Sequence, residues 1–554
     1  MHALTAPLSE LAEIEEICEE RGREPGMLLL SGCVTSQKTH LMYALGKGYG
    51  HTLIVLSSED KAKKLYEEYR FLNENTSYYP AKDLLFYQAD IHGKQLVKQR
   101  METLKMMMEA KSQVTVITTI DGFMDELPSE AEIKGDILTI SNGEALEFES
   151  LKEKIIKLGY DREAQVDGPG QFAVRGGIID IYPLTEELPI RIEFWGDEVD
   201  SIRTFDVDSQ RSVENLEQIV IYPADDRLGS DRKVSFINYF DPKDTLVFLD
   251  EPARLLEKGR LAENEVEKAR ENRAEEMERT GEMEEAPEFF TTDEIIKFLN
   301  KFCMIGMCAL EMKCKPFFVK KRFGIQAKSV NPYNSSFEML TQDLKRLKRN
   351  GYRAVLISGS RTRAKRLAED LRDYDLSSFY SEDQEREVNP GEIMVCYGHI
   401  EVGYEYPMIK FIVISESDIF GKTKKKKKRK SYDGQKISSF SDLKPGDYVV
   451  HENHGLGIYR GIEKIEVDKV TKDYMKISYA DGGNLYILAT QLDQIQKYAS
   501  ADAKKPKLNK LGGQEWHRTK SKVKTAVWQI AKDLVELYAV RQSKEGFVYE
   551  KDTV

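Results

Sequence analysis

Two short stretches of this chain hold residue types that could handle a nucleotide. The run SGCVTSQKTHL follows the apolar segment MLLL and opens a helical pattern, the position of a phosphate-binding loop. Such a loop, G-x-x-x-x-G-K-[ST], uses glycines so that backbone N–H groups curl round phosphates. Its lysine reaches the outer phosphates and its hydroxyl meets Mg²⁺. Gly32, Lys38 and Thr39 fit the pattern, but Gln37 stands where the second glycine belongs. Asp250 and Glu251 close the apolar run TLVFL, as the paired carboxylates of a metal-assisted ATPase do, and Pro252 follows them. A side chain at Gln37 crowds the phosphate nest, so these six residues read as the relic of a nucleotide site. The rival reading, a DNA-dependent ATPase using Lys38, Thr39, Asp250 and Glu251, also requires a second motor domain with an arginine finger. No such motif set is found along the chain.

A second constellation suits binding rather than catalysis. Alternation in IRIEFW places Ile190, Ile192 and Phe194 on one strand face and Arg191, Glu193 and Trp195 on the other. Arginine and tryptophan are the types most enriched at binding hot spots. The plain alternative is a ladder of cross-strand pairs on an ordinary sheet.

Metal chemistry finds little support. Cysteines stand at 18, 33, 303, 308, 314 and 396, and the gaps between Cys303, Cys308 and Cys314 are not those of a zinc site. They read as buried small apolar residues in a reducing cytosol. His451 and His454 lack a third ligand at sensible spacing and read as turn histidines.

The chain has 554 residues, too many for one core, which suggests about three to five domains. With 41% hydrophobic and 32% charged residues and a formal net charge of −12, it does not read as a protein that coats duplex DNA with its whole surface. No apolar run spans a membrane, and the acidic N-terminus is not a secretory signal. A cytoplasmic location is expected.

The organisation expected is a multi-domain α/β chain. Strands alternate with helices over residues 1–133, which implies a parallel, helix-covered sheet. Residues 134–225 are β-rich, with FAVRG and IIDIYP pairing around Gly176 and Gly177. Residues 226–320 return to α/β, so the β-rich part reads as an insertion into one α/β domain. A second small α/β unit spans 325–421. Residues 422–437 hold a nearly unbroken lysine run, expected as a disordered, solvated linker, with contact to nucleic-acid phosphates as the alternative. Short strands punctuated by Gly446, Gly455, Gly457 and Gly461, with an Asp-Gly-Gly turn, make a small β-barrel of 438–500. Residues 501–554 carry a long helix whose Val523, Val527, Ile530, Leu534 and Leu537 form an apolar stripe.

The stretch GPGQFAVRGGIIDIYPLTEELPIRIEFWGDEVDSIRTFDVD closely resembles the small β-rich domain of the nucleotide excision repair protein UvrB, and more closely that of bacterial transcription-repair coupling factors. PGDYVVHENHGLGIYRGI with DYMKISYADGGNLYILATQLDQIQKY resembles the RNA-polymerase-interacting module that coupling factors share with CarD regulators, a CarD/Tudor-like barrel. The first resemblance implies UvrA as a partner, met by Arg175, Arg191, Glu193 and Trp195; some family members carry Phe in place of Trp195. The second implies the RNA polymerase β subunit, gripped by β-augmentation with Met475, Lys476 and Ile477 as the expected anchors. The family also implies that the module around Gly32 and Lys38 has lost its ATPase. ATP and Mg²⁺ would serve only a translocase motor expected to follow Val554, and duplex DNA would bind mainly through that motor. The expectation is a monomeric, cofactor-free adaptor of transcription-coupled repair, resembling the amino-terminal half of a coupling factor. A CarD-type transcription regulator remains the other alternative, and residues 325–421 carry no functional signal of their own.

Overall fold

A computed structural model describes residues 2–22, 24–82, 94–207, 209–225, 233–280, 288–311, 313–383, 385–421, 435–436, 443–451, 454–467, 470–488, 495–498 and 506–511, with single helical positions between 515 and 537. The lysine run therefore lies outside the described residues. The chain divides into two compact units, 1–87 with 94–428, and 88–93 with 429–554.

The first unit is built on a seven-stranded sheet, all parallel, in the order Val319–Gly324, Gly26–Ser31, Cys303–Met307, Thr245–Asp250, His51–Leu56, Val114–Thr119, Thr76–Tyr78. The central strands are buried end to end, as in LLL, LIVL and LVFL, because helices cover both faces. Strands from before and after the β-rich segment interleave in this sheet. One α/β domain is thus interrupted by an insertion, as the sequence pattern implies.

The insertion forms a six-stranded sheet in the order Ser212–Leu216, Glu198–Phe205, Ile190–Trp195, Ile178–Ile181, Gln171–Arg175, Asp161–Arg162. Its inner face, with Phe172, Ile179, Ile181, Ile190, Ile192 and Ile202, packs with Leu151 and Ile155 of the helix Phe148–Lys157. Phe194 continues that face, its ring edge-on to Phe148 at 5.2 Å. A third sheet, ordered Lys328–Ser329, Tyr404–Tyr406, Phe411–Ser415, Arg353–Ser358, Ile393–Tyr397, Ser378–Tyr380, forms the small α/β domain. Its Tyr404, Tyr406 and Phe411 share one apolar cluster with Leu41 and Leu45 of the helix Thr35–Gly46.

The second unit is an antiparallel sheet ordered Gln435–Lys436, Ile495–Lys497, Tyr448–His451, Gly455–Val467, Val470–Ser478, Asn484–Leu488. Its core is Val449, Tyr459, Met475, Ile477, Tyr479, Ile487 and Ile495. Gly457 is required by close packing: a Cβ there would lie 2.5 Å from Ile477 Cγ2. The segment 506–511 lies along this sheet, with Asn509 Oδ1 accepting from the Leu456 N–H at 2.7 Å.

Candidate docking faces and a filled phosphate loop

The loop after Gly26–Ser31 is occupied by the protein itself. The Gly32 N–H donates to Ala309 O at 3.2 Å and the Cys33 N–H to Cys308 O at 3.1 Å. The Val34 N–H donates to Gln37 Oε1 at 3.0 Å. Gly32 has φ +80, and a Cβ there would lie 2.4 Å from Ile325 O, so packing against the residue that follows the neighbouring strand Val319–Gly324 already demands glycine. Lys38 Nζ donates to Asp250 Oδ1 at 2.6 Å and to Glu251 Oε1 at 2.7 Å. Burial alone would pull the Lys38 pKa down; the two carboxylates outweigh it and leave the value raised. The Cys33 thiol is pushed up to about 12 by burial, which makes it a poor nucleophile.

The hydroxyl that would meet Mg²⁺ is engaged as well. Thr39 Oγ1 donates to Glu68 Oε2 at 2.7 Å, and Ser36 Oγ to Glu68 Oε1 at 2.9 Å. Glu68 Oε1 also accepts the Glu401 N–H, and Ser36 Oγ accepts the Val402 N–H at 3.2 Å. Burial raises the Glu68 pKa despite these donors. One turn along, His40 meets Tyr406 Oη through Nδ1 at 3.0 Å and Leu4 O through Nε2 at 2.6 Å. Burial pulls its pKa down to about 4. The helix Thr35–Gly46 therefore spends Ser36, Thr39 and His40 on holding the small α/β domain. A triphosphate and Mg²⁺ do not fit this arrangement, because the amides of residues 32–34, the lysine and the threonine are all bonded within the chain.

The outer face of the inserted sheet is charged. Asp180 on Ile178–Ile181 lies opposite Arg191 on Ile190–Trp195, which lies opposite Arg203 on Glu198–Phe205. Arg191 donates Nε to Asp180 Oδ1 at 2.7 Å and Nη2 to Asp180 Oδ2 at 2.8 Å. Its guanidinium lies 4.4 Å from the Phe205 ring centroid. Arg175 Nη2 reaches Asp180 Oδ2 at 2.7 Å. Glu193 pairs with Arg203 and accepts from Ser201 Oγ. Trp195 stands beside the Gly196 turn, 83% exposed.

In the sheet of the second unit, which among the described residues is open rather than closed into a barrel, Met475 and Ile477 are both 0% exposed. They fill the core, so the expectation that their side chains anchor a partner is corrected. Alternation along Val470–Ser478 gives them one shared fate, and that strand is paired on both sides, by Gly455–Val467 and by Asn484–Leu488. Lys476 points outward, where its Nζ pairs with Glu463 at 2.8 Å. Among the described residues, Asn484–Leu488 is hydrogen-bonded on one side alone and ends the sheet. Its Tyr486 is 39% exposed.

Comparison with known proteins matches both regions. Residues 138–226 match the UvrB interaction domain, and residues 443–499 match the CarD-like/TRCF RID domain. The chain carries both domains. It is 30% identical to the transcription-repair-coupling factor of Bacillus subtilis (strain 168), over 95% of this chain and 49% of that protein. It is 29% identical to that of Staphylococcus haemolyticus over 95% of this chain and 50% of the relative, and 28% identical to that of Staphylococcus epidermidis over 99% and 51%. The resemblance to the coupling factors is thereby borne out. The chain spans about half the length of the curated relatives it matches.

The UvrB interaction domain brings Arg175, Arg191 and Glu193 onto one face, with Trp195 at its rim, and interleaves them with Asp180, Ser201 and Arg203. The last three were not singled out in the sequence. Asp180 had a signal, as the lone carboxylate inside the apolar run IIDI. The loop around Gly32 draws in Glu68 from a remote helix, for which local sequence held no sign. Cys33, Cys308, Cys314 and Cys396 are buried as expected, while Cys303 is only partly buried and Cys18 is exposed. Among the described residues, no cluster of His, Cys, Asp or Glu is arranged to hold a metal ion. Nor is any described helix long and apolar enough to cross a membrane.

Proposed function

We propose that this chain is a non-catalytic adaptor of transcription-coupled nucleotide excision repair, a cytoplasmic monomer that joins RNA polymerase to UvrA. The UvrB interaction domain docks UvrA through Trp195 and the arginines around Asp180. The CarD-like module docks the polymerase β subunit by adding a strand at Asn484–Leu488, the edge of the sheet among the described residues, with Tyr486 as its exposed aromatic. The exposure of Trp195 carries this reading: a 83% exposed tryptophan at the rim of a sheet otherwise packed in pairs has no role in the fold. The internal bonding of Lys38, Thr39 and the loop amides supports a chain that neither binds nor hydrolyses ATP. In this reading ATP, Mg²⁺ and duplex DNA would serve a translocase motor, the part of the function that displaces a stalled polymerase. The test is titration of the chain with purified UvrA and, separately, with RNA polymerase. Binding to both, with the UvrA signal alone lost in Trp195→Ala, is expected. A wild-type chain that ignores UvrA overturns the reading.

A further inference from the structure

The face around Trp195 is held by a residue that does not itself reach the surface. Asp180 is 2% exposed, yet its carboxylate collects three N–H donors from two arginines. Oδ1 takes Arg191 Nε; Oδ2 takes one nitrogen each from Arg191 and Arg175. The two-point contact with Arg191 fixes the plane of its guanidinium as well as its position. Phe205 beneath that guanidinium and Gln210 Oε1, 3.0 Å from Nη2, complete the seat. Arg191 is consequently only 12% exposed along its side chain, whereas Arg175 keeps 48%.

The register explains why a carboxylate is needed. Arg191 and Arg203 lie directly opposite one another on adjacent strands, and like charges so placed repel. Asp180 on one flank and Glu193 on the diagonal separate them. The cluster of Arg175, Arg191 and Arg203 with Asp180 and Glu193 retains one net positive charge. Arg203 Nε, buried and without a hydrogen-bond partner, is a spare donor in the same cluster. A partner suited to this face offers an acidic group for Arg175 and a slot for the indole of Trp195.

We propose that Asp180 is a positioning residue for UvrA docking. It holds Arg175 and Arg191 in the pose that the partner meets, so that docking does not have to order two long cationic side chains. The inference rests on the UvrA reading above and adds to it a residue that makes no contact with the partner. Without the carboxylate, both arginines repel and sample many rotamers, and association weakens although each contacting side chain is still present.

The experiment is a double-mutant cycle on the full 554-residue chain, with UvrA affinity as the readout and Trp195→Ala as control. Asp180→Asn should weaken binding about tenfold in the wild-type background and less than about twofold further in Arg175→Ala/Arg191→Ala, because its effect passes through those two arginines. A merely structural role moves affinity equally in both backgrounds and overturns the inference. So does wild-type affinity in Asp180→Asn while Trp195→Ala loses binding; the UvrA reading then stands alone. If wild-type chain fails to bind, or Trp195→Ala and Asp180→Asn both bind as wild type, both ideas fall. Should Asp180→Asn not fold, Asp180→Glu replaces it. That variant keeps the charge but displaces the carboxylate by one methylene, and should weaken UvrA binding with polymerase binding unchanged; undiminished UvrA affinity overturns the proposal.

Discussion

Lys38 Nζ lies 2.6 Å from Asp250 Oδ1, so the cation that a phosphate loop offers to a nucleotide is neutralised within the chain. Glu251 closes the same lysine from a second side, and Thr39 turns away to Glu68. The loop has the outline of a nucleotide site and the bonding of a structural joint.

Restoring the missing glycine should therefore not restore binding. Gln37→Gly relieves crowding at one position, but Lys38, Thr39 and the amides of Gly32 and Cys33 keep their internal partners. Equilibrium binding of a fluorescent ATP analogue is expected to stay at background in both wild type and variant, and ATP turnover to stay at background with and without DNA. Micromolar binding by Gln37→Gly would show that one side chain alone had closed the site.

The same lysine should matter for stability. Lys38→Met leaves Asp250 with Lys61 at 3.6 Å as its remaining cation and Glu251 with the Ala309 N–H alone, both with little solvent. Removing one partner of such a group typically costs about 3 kcal/mol. Urea unfolding of the first unit should register that loss, and Lys38→Met/Asp250→Leu should recover part of it. An unchanged midpoint in Lys38→Met would mean that the pair is solvated in solution.

Trp195→Ala should cost about 2 kcal/mol of UvrA binding, roughly a thirtyfold rise in Kd. It should leave the melting temperature unchanged, because the indole is exposed. Polymerase affinity should not move, since the two faces lie in separate domains. Calorimetric titration beside a thermal melt separates these outcomes.

The CarD-like module offers a contrast between core and edge. Met475→Asp buries a charge at a 0% exposed position and should unfold the module, at a cost of about 4 kcal/mol. Tyr486→Ala should keep the fold and weaken polymerase binding by about 1 kcal/mol. A folded Met475→Asp that selectively loses polymerase would return that strand to the surface.

Acid should loosen the joint between the helix Thr35–Gly46 and the small α/β domain. His40 is held neutral, with its pKa pulled from 6.5 to about 4 by burial. Between those values the unfolded chain binds the extra proton, so stability falls as pH drops from about 6.5 to 4 and then levels off. The full shift corresponds to about 3 kcal/mol. Glu68, with a raised pKa, acts in the opposite sense, favouring the fold as pH falls. Comparing wild type with His40→Gln across this window isolates the histidine: the variant should show a shallower pH slope. Equal slopes would mean that His40 is already solvated.

By itself the sequence determined which elements form and in what layers. Near-continuous apolar runs such as LIVL and LVFL force strands buried on both faces, hence a parallel sheet under helices. Alternation in IRIEFW sends Arg191, Glu193 and Trp195 to one face, because strand side chains have a period of two. The glutamine at position 37 was equally plain as a break in the phosphate loop. Tertiary structure alone decided the rest. Met475 and Ile477 share a face by alternation, but only the packing of Tyr459 and Ile487 around them makes that face the core. Gln37 could be seen to crowd a nest, but not that Glu68, Ala309 and Cys308 from distant segments fill it. Asp180 is by sequence one carboxylate in an apolar strand; only the sheet brings Arg175 and Arg191 to it. Periodicity fixes direction relative to the local backbone; which neighbour waits there depends on contacts between segments far apart in the chain, and those exist only once the sheets are assembled.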